Sequence, residues 1–513
     1  MESIYERLPR TFNVASYYIG EQSRVGKANA PAYLYDGGSL TYRQLQSSVS
    51  RMAALLQEWG VAWEDRVALL LPDSPELVIA LWGAIWAGAV PVPINIAYQG
   101  GDIAYIIEDC RAAVLITTSA WRDRLAEPRS PFLQRVVAVD ESPALLSRLS
   151  QVTREPEAAA TCKDDSAFWL YTSGSTGRPK GAVHLHHDMV VCAELYGKAT
   201  IGLAEGDVIY SVAPIPFAYG LGNTLYFPLA VGAAAVLADT GNAFDMIATI
   251  ERHHPTVFFG IPSTYKAILD VADIAPLDTS SLRLCLSAAE SLPPSIWHRW
   301  RERCGLEIYE GIGTTELLHI FLSNRPGRVK PGSTGQVVEG YDVRVVGQDG
   351  NTVAPGDVGD LVVGGESLMA GYWNRHGETR AAIYGEAMRT GDKYYMDEQG
   401  YFYFAGRGDD RFKIGGQWVL PLEVEDVLLQ HESVLDAAIV AEGAEGSLPH
   451  VVAYIALKPG RAATPNLEQE LKKHARRNLA HFKSPQRVIF VESIERTATG
   501  KIDRKSLRAK LEG

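Results

Sequence analysis

The chain has 513 residues, of which 46% are hydrophobic and 21% charged, and its formal net charge at pH 7 is −12. A chain of this length is too long for one compact core, so two or more domains are expected. The acidic balance argues against a general nucleic-acid binder, which would usually carry a basic face. The five cysteines are far apart and form no CxxC pair, so free, mostly buried thiols are expected rather than a zinc or redox site.

The N-terminus lacks the basic start and apolar core of a signal peptide. The most apolar segment, residues 77–90, is too short to span a bilayer and is predicted to be a buried helix. The sequence therefore predicts a cytoplasmic protein that binds neither membranes nor nucleic acid.

Short apolar runs alternate with helix-length segments from about residue 40 to residue 330. A strand is predicted at 66–72, followed by a helix from Ser74 to Ala87 and a strand at 89–95; the next strands are 112–118 and 135–140. This alternation predicts a mainly parallel sheet covered by helices.

The pattern changes after about residue 332. Residues 340–365 contain short apolar runs and an Asp349-Gly350 turn, which predict a hairpin in a small β-rich subdomain at about 332–408. The polar, glycine-rich stretch 406–416 is typical of a linker or hinge.

A small α+β unit is predicted beyond that linker, with a helix at 421–431 and strands at 434–441 and 450–458. The predicted fold is α/β: a large N-terminal domain of several subdomains, 1–408, and a small C-terminal domain, 409–513. Residues 461–513 hold 13 Lys and Arg against 6 Asp and Glu, which suits either a solvated face or a surface that meets a polyanionic ligand.

The stretch YTSGSTGRPKG, residues 171–181, follows an apolar run at 167–170. Its glycines let backbone N–H groups approach a ligand, its hydroxyls add donors, and Lys180 adds a positive charge. A helix beginning after Gly181 would favour an anion further. The loop is not a Walker loop, because Arg178-Pro179 separates Gly177 from Lys180. We interpret it as a phosphate-binding loop, with a flexible surface loop as the alternative.

Further motifs follow in a fixed order: LTYRQL (40–45), GIGTTE (311–316), TGD (390–392), GRGDDRFKIGG (406–416) and RTATGKIDR (496–504). With the loop they resemble the signature motifs of the acyl-adenylate-forming (ANL) enzymes, which include acyl- and aryl-CoA ligases, adenylation domains and luciferases. PFAYGLGN (216–223) and GIGTTELLHIFLSN (311–324) are similar to the benzoate-CoA ligase group.

The resemblance implies that a carboxylate attacks the α-phosphorus of ATP to give an acyl-adenylate and pyrophosphate, and that coenzyme A then takes the acyl group and releases AMP. Because the first step brings two anions together, the site must supply donors, lysines and Mg²⁺. The phosphates would be held by Thr172, Ser173, Gly174, Ser175, Thr176, Gly177 and Lys180. Thr315 would bind the α-phosphate and Glu316 would ligate Mg²⁺.

The nucleoside would lie against a second set of residues. Adenine is assigned to Ala288, Ala289, Glu290, Gly311 and Ile312, and the ribose to Asp392 and Arg407. Relatives often have glycine where Ala289 stands.

The resemblance makes the small C-terminal domain mobile. It places Lys501 between the acid and the α-phosphate as the catalytic lysine. Asp409, or the nearby Lys413, would be the hinge, and Gly415 and Gly416 would line the CoA channel after rotation.

The acid pocket implied by the resemblance consists of Phe217, Ala218, Tyr219, Phe259, Gly260, Ile261, Gly313, His319 and Ile320. His319 would either bind the acid's carboxylate or be a satisfied core histidine. Ile261 and Thr264 stand where smaller residues are common in the benzoate group, which would either narrow the pocket or accompany a reshaped one. The predicted substrate is an aromatic or cyclic, benzoate-like acid, with a bulky polycyclic acid as the alternative.

Other functions remain open at this point: an adenylating enzyme that loads a carrier protein, a luciferase-like oxygenase, or a non-catalytic nucleotide binder. A homodimer is a further expectation. HLHHD, residues 184–188, has the composition of a metal site, but no distant Cys or His partner is evident, so metal binding is not favoured.

Overall fold

The computed structural model describes residues 3–20, 26–98, 100–125, 130–173, 178–238, 241–274, 276–407, 412–414, 417–419, 421–442, 450–496 and 502–512. Its helices and helical turns are Ile4–Arg7, Ser16–Gly20, Tyr42–Glu58, Pro75–Trp86, Gly100–Asp109, Ser119–Arg124, Leu145–Gln151, His186–Cys192, Ala193–Thr200, Ala218–Gly220, Leu221–Tyr226, Phe227–Val231, Ala243–His253, Pro262–Ala272, Pro294–Cys304, Thr315–Leu317, His376–Ala382, Pro421–Leu429, Pro465–Asn478, His481–Lys483 and Arg504–Glu512. In this part of the chain, no helix is both long and apolar enough to cross a bilayer.

The first predicted strands form a parallel sheet in the order Val90–Pro93, Arg66–Leu70, Ala112–Thr117 and Arg135–Ala138. The intervening helix starts as the sequence predicts: Ser74 is the N-cap, its hydroxyl accepts the Leu77 N–H at 3.2 Å, and Pro75 occupies the first turn. The central strand packs on both faces, since Val67 and Ala68 belong to different hydrophobic clusters.

The largest sheet in the described part of the chain has nine strands. In spatial order they are Gln336–Val337, Ile320–Ser323, Ile308–Gly313, Leu284–Ser287, Val257–Gly260, Val208–Ser211, Ala234–Val236, Pro31–Tyr35 and Gly38–Thr41. From 308–313 to 31–35 all neighbouring strands pair in parallel, and the outer pairs at both ends are antiparallel. The carboxyl ends of parallel strands meet at one edge, where α/β sheets bind their ligands.

The β-rich region is a five-stranded antiparallel sheet. It is formed by Asp342–Val346, Gly359–Gly364, Ile383–Tyr384, Ala387–Met396 and Phe402–Arg407. The predicted hairpin is therefore present, with Val345 opposite Leu361.

The C-terminal part forms its own small sheet and its own hydrophobic cluster. Val434–Glu442 pairs antiparallel with His450–Leu457, which pairs in parallel with Arg487–Val491. Within the linker, Phe412–Ile414 pairs with Gln417–Val419. The predicted α/β fold with a smaller α+β unit at the C-terminus is confirmed.

The prediction of a helix directly after the glycine-rich loop is wrong. Residues Pro179–Leu185 form a strand that pairs antiparallel with Ser166–Ser173 and with Gly371–Tyr372. The segment pairs residue by residue with the preceding strand, and the next helix begins only at His186. The loop is thus a hairpin connection, and no helix N-terminus follows it directly.

Candidate active site

The glycine-rich loop joins two strands whose last described residues face each other. Thr172 lies opposite Lys180 in the hairpin. The buried Tyr171 hydroxyl donates to Asp109 Oδ2 at 2.6 Å, which anchors the first strand of the hairpin to Asp109. The Lys180 ammonium lies 4.4 Å from the ring centroid of Tyr372, a cation–π contact, so its charge is held near the base of the loop.

Glu316 lies in a short turn, Thr315–Leu317, directly after the strand Ile308–Gly313. The Tyr372 hydroxyl donates to Glu316 Oε1 at 2.5 Å, and the Met369 N–H donates to the Glu316 carbonyl at 2.8 Å. Burial and the neighbouring carboxylate raise the pKa of Tyr372, which keeps the phenol protonated and donating. Tyr372 thus links Lys180 to Glu316, a link that no sequence pattern indicated.

Three of the residues assigned to adenine, Ala288, Ala289 and Glu290, directly follow the strand Leu284–Ser287. Gly311 and Ile312 lie in the neighbouring strand Ile308–Gly313. Ala288 is buried, and Ala289 has φ = 72°, in the left-handed region that favours glycine. This explains physically why glycine suits that position. The Glu290 carboxylate lies 3.4 Å from the Arg496 guanidinium, which brings the C-terminal part of the chain to this edge.

Three of the residues assigned to the acid, Phe259, Gly260 and His319, contact Tyr219. Its hydroxyl donates to the Gly260 carbonyl at 3.4 Å, and its ring meets Phe259 edge to face at 5.8 Å. Its ring centroid is 5.7 Å from that of His319. Phe217 and Ala218 immediately precede Tyr219, Gly313 pairs with Ile320 across the 308–323 hairpin, and Ile261 caps the next helix.

His319 is 2% exposed and lies among the rings of Tyr196, Tyr219, Tyr226 and Phe227. A Cβ atom at Gly222 would lie 2.3 Å from its Cδ2, so glycine there makes room for the imidazole. Burial lowers the pKa of His319 to about 3, so the ring is neutral at physiological pH. Neither ring nitrogen has a hydrogen-bond partner of good geometry among the described residues, but the Tyr219 backbone beside the ring opposes the fall in pKa. Both predicted roles of His319 therefore stay predictions.

The turn that leads into His319 is strained. Leu318 has φ = 65° and ψ = −40°, and the His319 N–H donates to the Leu317 carbonyl at 2.8 Å. This is the tight three-residue turn that non-glycine residues rarely adopt. Such strain concentrates at functional sites.

The histidines of HLHHD make hydrogen bonds to protein groups. His184 contacts Asp188 and the Thr315 carbonyl, His186 Nδ1 accepts the Val14 N–H at 3.2 Å, and His187 contacts the Lys163 carbonyl. Among the residues that the structure describes, no cluster of three His, Cys, Asp or Glu side chains could hold a metal ion.

The ribose candidates lie in the five-stranded sheet, where Asp392 is buried and pairs through its backbone with Arg407. For Ser173, Arg407 and Lys413 only the backbone is described. The remaining predicted residues lie outside the described ranges: Gly174, Ser175, Thr176, Gly177, Asp409, Gly415, Gly416 and Lys501.

Two family profiles match the chain: AMP-binding enzyme over residues 21–373 and AMP-binding enzyme C-terminal domain over 423–501. The chain belongs to the AMP-binding enzyme family. This confirms the resemblance on which the sequence-based prediction rests. The position of the family's C-terminal profile agrees with the separate small sheet and hydrophobic cluster seen in the fold.

Benzoate–CoA ligase of Thauera aromatica is 40% identical over 98% of this chain and 97% of its own. A benzoate CoA ligase structure from Burkholderia xenovorans LB400 has a TM-score of 0.89 and 40% identity, covering 97% of this chain and 100% of its own. The anthranilate CoA ligase AuaEII in complex with anthranoyl-AMP superposes with a TM-score of 0.94 and 36% identity, over 99% of this chain and 98% of its own.

Proposed function

We propose that the protein is an AMP-forming aryl-CoA ligase that adenylates a benzoate-like acid and transfers the acyl group to coenzyme A. One observation carries the proposal: Tyr372 holds Lys180 on its ring and Glu316 on its hydroxyl. These two contacts bring the glycine-rich hairpin next to the turn after the 308–313 strand. A bound triphosphate needs a cation and a metal-binding carboxylate close together.

Adenylation requires an anionic acid to approach an anionic α-phosphate. Lys180 and the donors of the 171–181 loop would hold the β- and γ-phosphates, and the Thr315 hydroxyl would hold the α-phosphate. Lys501 would neutralise charge between the two reactants. Its neighbour Ile502 forms a β-bridge with Arg496, and Arg496 contacts Glu290 beside the assigned adenine residues. These flanking contacts support the assignment of Lys501.

Glu316 suits a magnesium ion. One carboxylate oxygen accepts the Tyr372 hydroxyl, and a carboxylate has further lone pairs with which to bind a cation. Mg²⁺ prefers oxygen ligands and, when bound with ATP, would neutralise phosphate charge. Tyr372 would orient the carboxylate for that contact.

The residues assigned to the acid favour a flat, mostly apolar substrate. The side chains around Tyr219 include the ring of Phe259 and the buried, neutral imidazole of His319. The ring N–H of His319 would donate to the acid's carboxylate. A bulky polycyclic acid is the second candidate for the substrate, because Ile261 and Thr264 depart from the smaller residues common in the benzoate group.

We place the domain boundary between residues 408 and 409. The C-terminal unit would turn about Asp409, or Lys413, after adenylation, so that Gly415 and Gly416 line the channel for the CoA thiol. The small C-terminal sheet has its own hydrophobic cluster, as a unit that moves as one body requires.

The test is acid-dependent pyrophosphate release with a panel of benzoates, followed by mass detection of the thioester after coenzyme A is added. The proposal expects release with at least one aryl acid, and a thioester with free CoA. If the thioester formed only on an added carrier protein, that protein and not coenzyme A would be the acceptor. An absence of acid-dependent release across benzoates and polycyclic acids would reject the proposal. His319→Leu should raise KM for the acid more than KM for ATP.

A further inference from the structure

His184 has a place in the site that the family motifs do not assign. It lies in the strand Pro179–Leu185, four residues before Asp188, and both side chains are fully buried. His184 Nδ1 is 2.7 Å from Asp188 Oδ2, and Nε2 is 2.7 Å from the backbone carbonyl oxygen of Thr315.

The two contacts determine how many protons the pair carries. A carboxylate and a carbonyl oxygen both accept, so His184 and Asp188 must share two protons for both bonds to form. The pair is then neutral overall, as its burial requires. Asp188 Oδ2 also accepts the Leu185 N–H at 3.0 Å, and the imidazole stacks on Phe168 at 5.2 Å and 13°. The ring is therefore fixed in position, with a proton on Nε2.

The Thr315 carbonyl, which accepts from His184, belongs to the turn Thr315–Leu317. This turn contains the proposed phosphate and metal ligands. The Leu318 N–H also donates to that carbonyl, at 3.1 Å, which closes the turn. Holding the carbonyl from both sides sets the direction of the Thr315 side chain and of the following peptide bond to Glu316. A displacement of about 1 Å in such a group can cost about 10²-fold in rate.

We propose that His184, fixed by Asp188, is a positioning residue for the adenylation step through the Thr315 carbonyl. The inference rests on the proposed function, since it gives the Thr315–Glu316 turn its task. It predicts that loss of the Nε2 contact impairs adenylation and leaves the thioester half-reaction largely unaffected.

Two variants of His184 separate its two contacts. The longer side chain of His184→Gln can bring an amide N–H to the place of Nε2, whereas that of His184→Asn can reach only the place of Nδ1. We expect H184N to lower kcat for pyrophosphate release about 10²-fold, with KM for ATP changed less than about threefold. H184Q should stay within about fivefold of wild type. Both should form thioester from supplied acyl-adenylate within about threefold of wild type.

Equal losses in H184N and H184Q, or a parallel loss of both half-reactions, would overturn the proposal. A wild-type measurement decides the matter even if H184N does not fold. In protein labelled with ¹⁵N-histidine, Nε2 of His184, assigned by the signals missing from H184Q, should carry a proton and should shift when a non-hydrolysable acyl-adenylate analogue binds. A bare Nε2, or no shift of Nε2 on binding, would overturn it. Failure of wild type to release pyrophosphate would instead reject the proposed function.

Discussion

Replacing Glu310 with glutamine should remove a pH dependence from the stability of the N-terminal domain. Glu310 lies in the strand Ile308–Gly313, directly before the residues assigned to adenine, and is 4% exposed. Burial raises the pKa of its carboxyl to about 8, against the ordinary 4.5, while a hydrogen bond from the Leu292 N–H opposes the shift. The folded protein therefore binds a proton that the unfolded chain releases above about pH 4.5.

The sign follows from which state holds the proton. This carboxyl contributes stability below about pH 4.5, and the contribution is lost as pH rises toward about 8. At about 1.4 kcal/mol per unit of pKa shift, its share of the free energy of unfolding should fall by about 3–4 kcal/mol between pH 5 and pH 8. Glu310→Gln is nearly isosteric, keeps an acceptor for the Leu292 N–H and does not titrate.

The assay is urea unfolding of both proteins at several pH values, monitored by tryptophan fluorescence. The stability difference between variant and wild type should grow in favour of the variant as pH rises. Glu302→Gln, on the exposed face of the helix Pro294–Cys304, controls for the removal of one carboxylate. Parallel stability curves for E310Q and wild type between pH 5 and pH 8 would show that the buried carboxyl is not protonated, and would refute the reasoning.

Substitutions at four further residues have defined outcomes. Lys501→Ala should nearly abolish adenylation yet leave thioester formation from supplied acyl-adenylate; equal loss of both steps would contradict its role. Asp409→Pro should leave adenylation intact and impair thioester formation, because proline fixes φ at the hinge. Normal thioester formation by this variant would show that Asp409 is not the pivot. Arg496→Ala should slow adenylation at most about fivefold, since an exposed ion pair contributes up to about 1 kcal/mol. Ala289→Gly should leave the free energy of unfolding unchanged or up to about 1 kcal/mol higher, whereas Ala289→Val should lower it. Denaturant titration measures both values. A valine variant more stable than the glycine variant would show that φ = 72° is not strained at this position.

Most of the fold could be predicted from the sequence because its strands are short apolar runs between capped helices. The 66–72 run and the helix after Ser74 appear within two residues of their predicted ends. The prediction of a helix after Gly181 was wrong because it came from the preference of anions for helix N-termini and not from the residues of the segment itself. Pairing with 166–173 decided its conformation, and pairing over a connection is not visible in local pattern.

The candidate site was predictable only where a motif carries it. Thr315 and Glu316 stand in such a motif, but the side chains that hold them do not. Tyr372 is 56 residues from Glu316, and His184 is 131 residues from Thr315. Contacts at these separations follow from sheet topology, so one sequence without that topology could not reveal them.

The described hydrogen bonds and ion pairs between the C-terminal unit and the large domain are few, which would suit a unit that leaves the site between two half-reactions. The Ser295 hydroxyl donates to Asp426 at 2.6 Å, and Arg496 spans Glu290 and Asp436. An exposed ion pair contributes at most about 1 kcal/mol and a hydrogen bond to a charged group about 1.5–3 kcal/mol, so breaking these contacts costs only a few kcal/mol. We infer that this arrangement corresponds to adenylation, since Arg496 lies against the assigned adenine residues and its β-bridge partner Ile502 is the chain neighbour of Lys501. If the C-terminal unit turns after adenylation as proposed, transfer to coenzyme A would require the Arg496–Glu290 contact to break, and its loss should therefore affect adenylation selectively.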